Sequence, residues 1–441
     1  MPQVSVSRKG GCGACSLIEC SSPHCTTRNG VQLVKPGLKA ETCKSRLVIH
    51  PGPMKSGAAA EILIRGILSA WILAAHADER LWMQAEINGE PVRLCFDSGA
   101  SDLFLLGGTA RRLGLTVTGP PTNVVLYPGA VPTGTTEECL FKLQSASVKT
   151  RFQVFDLPPY LEAGMDGVVG WGPLRRNRFQ VDAEARTVTW LANLPKAALT
   201  WTKLRVVRRS ACLELELPRS NGKSGTIFVD TGDSKGVGLN PQDWHEWRLL
   251  HSNRPITLTS FFTPGAGLLV KEEAWANKLS LGPVMLTQVP VTEAIPLVLT
   301  IPHFRASFGL AALKRLDFVV DGRRGVVYLR PKHATAPAYQ HNRLGAVFVP
   351  ADPQSNDLTA QVVDGGPAQE AGIRAGDVLL KIDEVDATKW RTDPTVLPLT
   401  RFWARPAGTK LDLSLRREGE TFKATPTLRD ILSPDLGEFK P

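Results

Sequence analysis

The sequence lacks the marks of a metal or nucleotide site. Cys12-x-x-Cys15 has no second Cys-x-x-Cys pair at finger spacing, and His245-Glu246 is followed by Leu249 where a zinc-binding helix needs its second histidine. Gly222-Lys223-Ser224 has no first glycine of a phosphate loop. No metal and no cofactor are therefore expected. Five of the eight cysteines (Cys12, Cys15, Cys20, Cys25 and Cys43) fall in residues 1–53, and the remaining Cys95, Cys139 and Cys212 are odd in number and form no disulfide framework. No apolar run reaches the roughly twenty residues of a membrane span, so no stable membrane span is expected. Basic residues outnumber acidic ones, 52 to 42, giving a formal charge of +10. They are scattered and not gathered on one periodic face, which argues against nucleic acid as a partner.

What is present is ordinary globular composition: 441 residues, 43% hydrophobic, with room for two or three domains. The stretch from Met54 carries Lys55, an apolar segment from Ile67 to Ala75, and Ala75-His76-Ala77 ahead of Asp78. That is the form of a signal peptide over 54–77, cleaved after Ala77, and it predicts an exported protein, periplasmic or secreted. Residues 1–53 then stand as a cysteine-containing extension, outside the natural protein if Met54 is the true start.

The segment LCFDSGASDLFLL, from Leu94 to Leu106, sets Asp97-Ser98-Gly99 between two apolar runs. Alone it is a common turn sequence. A second copy, IFVDTGDSKGVGLN from Ile227, supplies Asp230-Thr231-Gly232, and each triplet follows two alternating apolar stretches around a Gly-containing turn, the pattern of a hairpin ending at the Asp. The repetition continues in order. VVGWGPLRRNRFQVDAEARTVTWL, from Val168, corresponds to SFGLAALKRLDFVVDGRRGVVYLRP, from Ser307, and FKLQSASVKTRFQVF to NKLSLGPVMLTQVPV. This is an internal duplication of a β-rich unit.

These ordered repeats resemble the aspartic proteases, in their bacterial retropepsin-like branch with both lobes on one chain, over about Glu79 to Pro331. The resemblance implies a mainly β, pseudo-two-fold bilobal fold with lobes over 78–198 and 199–331, and Asp97 and Asp230 facing each other as a catalytic pair. It implies support of the pair by Ser98, Gly99, Thr231 and Gly232, with Val168-Val169-Gly170 and Ser307-Phe308-Gly309 packed beneath. Two carboxylates sharing one proton can activate a water against a peptide bond, one as base and the other as acid. A peptide or protein substrate follows. A flap is expected at VVLYPGAVPTGTTEECLF, with Tyr127 and Gly129 at its tip, matched by SFFTPGAGLLV from Ser260 in the second half. Two residues depart from the pattern: Ser307 where an apolar residue is usual, and Asp233 where the first copy has Ala100. If Asp233 lies near Asp230 its charge raises the pair's pKa values and moves the pH optimum toward neutral; if it is protonated and donates a hydrogen bond to Asp230 the sign reverses; if it points outward it caps a turn. The departures also leave open a catalytically degenerate, exported peptide-binding protein.

Past Pro331, KHATAPAYQHN reads as a linker over 332–342. The following LTAQVVDGGPAQEAGIRAGDVLLKIDEVDA resembles a PDZ domain, placed at 343–430 with a tail at 431–441. The resemblance implies a small β-barrel with short helices that takes an extended or C-terminal peptide by strand addition, at Leu344-Gly345-Ala346-Val347.

Overall fold

The computed structural model describes residues 80–119, 131–144, 146–156, 164–220, 223–263, 267–295, 298–332, 339–352, 355–393 and 395–432. The signal peptide expected at 54–77, the residues before it, and Tyr127 and Gly129 of the expected flap lie outside them. The described chain is mainly β, and its longest helix is the ten-residue Pro241–Leu250. Among the described residues no helix is long and apolar enough to cross a membrane.

The hairpin Trp82–Ile87/Glu90–Asp97 shows how the local sequence writes the fold. Met83, Ala85 and Ile87 alternate inward, as a strand covered on one face requires. Its turn, Asn88-Gly89, takes positive φ at both residues (53° and 89°), the conformation that asparagine and glycine tolerate and that matches strand twist. Burial then becomes continuous from Leu94 to Asp97, because this end of the strand lies inside the sheet, parallel to Gly167–Gly170. Nine strands form this first sheet.

The second half repeats the arrangement. Glu214–Ser220 pairs with Lys223–Val229, and the latter runs parallel to Phe304–Phe308. In each half a further strand, Leu103–Leu106 or Val237–Leu239, pairs antiparallel with the other side of that parallel partner. Each Asp triplet is therefore the loop between two strands that flank a common neighbour. Gly170 is the last residue of the first neighbour, and Gly309 directly follows the second. A Cβ at Gly170 would meet Ala100 O at 2.6 Å, and one at Gly309 would meet Lys235 O at 2.4 Å, so only glycine lets the triplet loops close.

The second sheet has twelve strands and does not stop at the halfway point of the duplication. Arg178–Asp182 and Thr187–Trp190 of the first copy join it, Arg178–Asp182 pairing with Leu316–Asp321 of the second. Buried Asp321 meets Arg178 at 3.1 Å across that junction. Phe179 contacts Phe96 and Trp171 edge-on, linking the shared sheet to the strand that delivers Asp97.

A six-stranded sheet follows, opening with Ala346–Pro350 and closing with Glu420–Ala424. Its own core gathers Leu344, Phe348, Ile382, Trp390, Trp403 and Leu413. The segment expected as a linker is packed where it is described. Tyr339 donates to Glu273 at 2.6 Å, and Asn342 is buried.

Candidate active site

The two triplet loops meet at their tips. Ser98 Oγ donates to Val229 O (2.7 Å) and accepts from Thr231 N–H (3.1 Å); Thr231 Oγ1 donates to Phe96 O (2.9 Å) and accepts from Ser98 N–H (2.8 Å). The exchange is reciprocal. Each hydroxyl satisfies a backbone N–H and a carbonyl beside the opposite aspartate, so buried polar groups of the two loops are paired across the junction. Ser98, Thr231, Asp97 and Asp230 are all buried.

This clamp sets the carboxyls side by side. Asp97 lies against the opposite loop, its Cγ 2.6 Å from where a Gly232 Cβ would stand, and its negative charge acts on Asp230. Within each loop one carboxyl oxygen faces the backbone: Asp97 Oδ1 accepts from Gly99 (2.9 Å) and Ala100 (3.2 Å), and Asp230 Oδ1 from Gly232 (3.0 Å). Burial first, and then the negative charges of Asp97 and Asp233, hold the Asp230 carboxyl well above the usual carboxylate range. Asp97 has two backbone donors to Asp230's one, an asymmetry that favours negative charge at Asp97.

Asp233 stands where Ala100 stands in the first copy. Trp171 N–H bonds Ala100 O (2.8 Å) and Leu310 N–H bonds Asp233 O (2.7 Å), while Ala100 and Asp233 N–H reach back to Asp97 and Asp230 O. Its side chain does two things at once. Oδ1 accepts from Lys235 N–H, at 2.6 Å, closing a turn, and the same carboxyl acts electrostatically on Asp230. Burial pushes Asp233 up to about 7, with Lys235 opposing and Glu273 adding to the shift. Glu273 is itself buried and raised, paired with Tyr339. Sequence patterns could not bring Glu273 or Tyr339 to this neighbourhood, since neither belongs to a repeat motif.

Cys212 was also silent in the sequence. Its Sγ–H donates to Gly99 O (2.9 Å) at the back of the first triplet, and burial keeps the thiol protonated by raising its pKa well above the ordinary value. Leu213 N–H bonds Ser98 O beside it, at 2.9 Å. Val168 and Val169 are fully buried beneath the first loop, as is Phe308 beneath the second, with Ser307 half-buried. SFFTPGAGLLV is no isolated loop but the end of a hairpin, Ile256–Thr263 against Gly267–Leu281. Among the described residues no group of His, Cys, Asp and Glu is arranged to hold a metal.

Leu344-Gly345-Ala346-Val347 stands at the head of the last sheet. Leu344, Ala346 and Val347 are buried, and Gly345 takes φ 70° against Gly366. Ala346–Pro350 is an edge strand of its sheet and Ile256–Thr263 an edge strand of the twelve-stranded one, and the two edges lie side by side without a ladder between them among the described residues. Asn342 bridges them, its carboxamide donating to Leu258 O (3.0 Å) and Ala346 O (2.8 Å), while Thr257 Oγ1 donates to Asn342 O (2.7 Å).

The raised Asp233 gives a pH dependence with a defined sign. Its folded pKa of about 7 exceeds the ordinary 3.8, so the folded protein keeps a proton that the unfolded chain releases. That contribution to stability is full below about pH 4 and is lost as pH rises through about 7. The melting temperature should fall across this window, and less steeply in Asp233→Asn, which keeps the turn acceptor; equal slopes in thermal scans would remove Asp233 from the account.

With this geometry in view, residues 83–171 match the aspartyl protease family, a span that contains Asp97 and ends before Asp230. Residues 359–397 match the PDZ domain. No curated protein matches the chain. Among solved structures, the crystal structure of the retroviral protease-like domain of Ddi1 from Leishmania major is 22% identical with a TM-score of 0.21, the match covering 26% of this chain and 95% of that chain. The chain thus joins an aspartyl-protease-like segment to a PDZ-like one.

Proposed function

We propose that the protein is an exported aspartic endopeptidase that hydrolyses peptide bonds with water activated by Asp97 and Asp230. The observation that carries this reading is the reciprocal Ser98/Thr231 clamp, which holds together the two loops that carry the buried, electrostatically interacting carboxyls of Asp97 and Asp230. A pair that cannot ionise twice retains one proton, and water chemistry needs both forms at once. The Asp97 carboxylate takes a proton from water as its oxygen attacks the scissile carbonyl carbon. Asp230 gives its proton to the carbonyl oxygen, forming a neutral gem-diol. Breakdown breaks the C–N bond, with one proton passing to the leaving nitrogen and one returning to the pair.

Asp97→Asn and Asp230→Asn should each reduce peptide cleavage by at least about a thousandfold while the melting temperature holds or rises, because the amide keeps the loop bonds and removes the buried acid. Peptide-library cleavage across acidic and neutral pH measures this. Wild-type protein that binds peptides but cuts none would instead be a peptide-binding protein of degenerate protease form.

Export through residues 54–77 belongs to the same proposal. N-terminal sequencing of exported protein should begin at Asp78; exported chains that retain Cys12 to Cys43 would overturn it.

The PDZ-like part we assign to peptide or protein binding through the edge Ala346–Pro350. The neighbouring edge Ile256–Thr263 covers that strand, so a ligand that adds by strand pairing must displace it. Asn342→Ala removes both bridging bonds. Affinity for C-terminal peptides, measured by fluorescence polarisation, should rise about three- to tenfold in this variant; an unchanged or lower affinity would place ligand binding elsewhere.

A further inference from the structure

A basin of about 770 Å³ lies away from the aspartate pair, with Arg175, Arg176, Arg208, Arg323 and Arg324 around it and buried Trp171 behind. Three chain segments build it: the turn after the short helix Trp171–Leu174, the turn after the strand Thr202–Val206, and the turn between Leu316–Asp321 and Val326–Pro331. Backbone bonds tie them together, Gly322 N–H to Asn177 O (2.9 Å) and Val206 N–H to Gly325 O (2.9 Å). A Cβ on Gly322 would stand 2.2 Å from Arg175 O, so the close fit of two segments depends on that glycine.

The charge of this basin is uncompensated. Arg324 reaches buried Asp321 at 3.9 Å, but Arg175, Arg176, Arg208 and Arg323 have no ion-pair partner among the described residues, and no carboxylate lines the basin. Elsewhere the chain pairs its arginines readily, as in Arg112 with Asp166, Arg305 with Asp243, and Arg417 with Asp377. Like charges gathered on a fixed frame repel, and a multivalent anion relieves that repulsion. Guanidinium groups also match the paired oxygens of a phosphate.

We propose that this basin binds a compact polyanion carrying two or more phosphate groups, free or as a lipid headgroup. Its form disfavours larger ligands. A peptide adding as a strand would need free backbone groups, yet Val206, Val207, Gly322, Arg324 and Gly325 N–H are all bonded within the chain, and the strands around the basin are paired on both sides. Single-stranded nucleic acid would need exposed aromatic platforms, and Trp171 is buried. A bowl, unlike a stripe, does not follow a duplex backbone.

Calorimetric titration with tripolyphosphate at fixed ionic strength tests the site. One saturable site per chain is expected, weakened at least about tenfold in Arg175→Ala/Arg323→Ala and unchanged in the exposed control Lys423→Ala. Equal affinity in all three proteins overturns the proposal. So does tighter binding of citrate, hexaglutamate or a 20-nucleotide RNA than of tripolyphosphate. Binding to polyphosphoinositide vesicles that the double variant abolishes supports the site and assigns its ligand to a lipid headgroup; competition by soluble inositol phosphates with no vesicle binding supports it with a free ligand.

Discussion

Everything at the candidate site depends on four hydrogen bonds between two side-chain hydroxyls and the backbone opposite. Burying two carboxyls in contact is unfavourable by itself, through lost hydration and mutual repulsion. The clamp makes that arrangement the folded state's only way of satisfying Ser98, Thr231, Phe96 and Val229 together. Each hydroxyl both donates and accepts, so an alanine at either position would orphan a carbonyl and an N–H on the opposite loop. The strands that carry these loops are held in turn by a parallel neighbour, with a glycine at its end (Gly170) or just past it (Gly309).

How much of this could be read beforehand follows from how far each contact reaches in sequence. The duplication was legible because the repeats are local strings, and so was the hairpin ending at Asp97, whose Asn-Gly turn and alternation are adjacent in the chain. The mainly β fold and the protease-like and PDZ-like segments followed from the same strings. Asp233 was picked out as a departure, but a single residue's identity could not say that it would close a turn and act on Asp230 together. Cys212, Glu273 and Asn342 were illegible because their partners lie far along the chain, at Gly99, Tyr339 and Leu258, and carry no motif. Residues 332–342 read as a linker from their Ala and Pro content, yet composition does not register that Asn342 makes four hydrogen bonds.

The two sheet edges joined by Asn342 answer a general problem of β proteins. An uncovered edge offers unpaired N–H and C=O groups to any strand that meets it, including one from another copy. Here Ile256–Thr263 and Ala346–Pro350 shield each other without merging into one ladder, held by side-chain bonds. Such a seam covers both edges with three hydrogen bonds through Asn342 where a continuous sheet would have a ladder.

Because both triplets sit on one chain, the two loops have been free to diverge, and they have: Ser98 faces Thr231, and Ala100 has Asp233 as its counterpart. In a pair of identical chains any such change would appear twice, and the two sides would stay equivalent. Here one side carries an additional buried acid and the other a methyl group. The two sides of the pair are therefore chemically inequivalent, which those of an exact two-fold arrangement could not be.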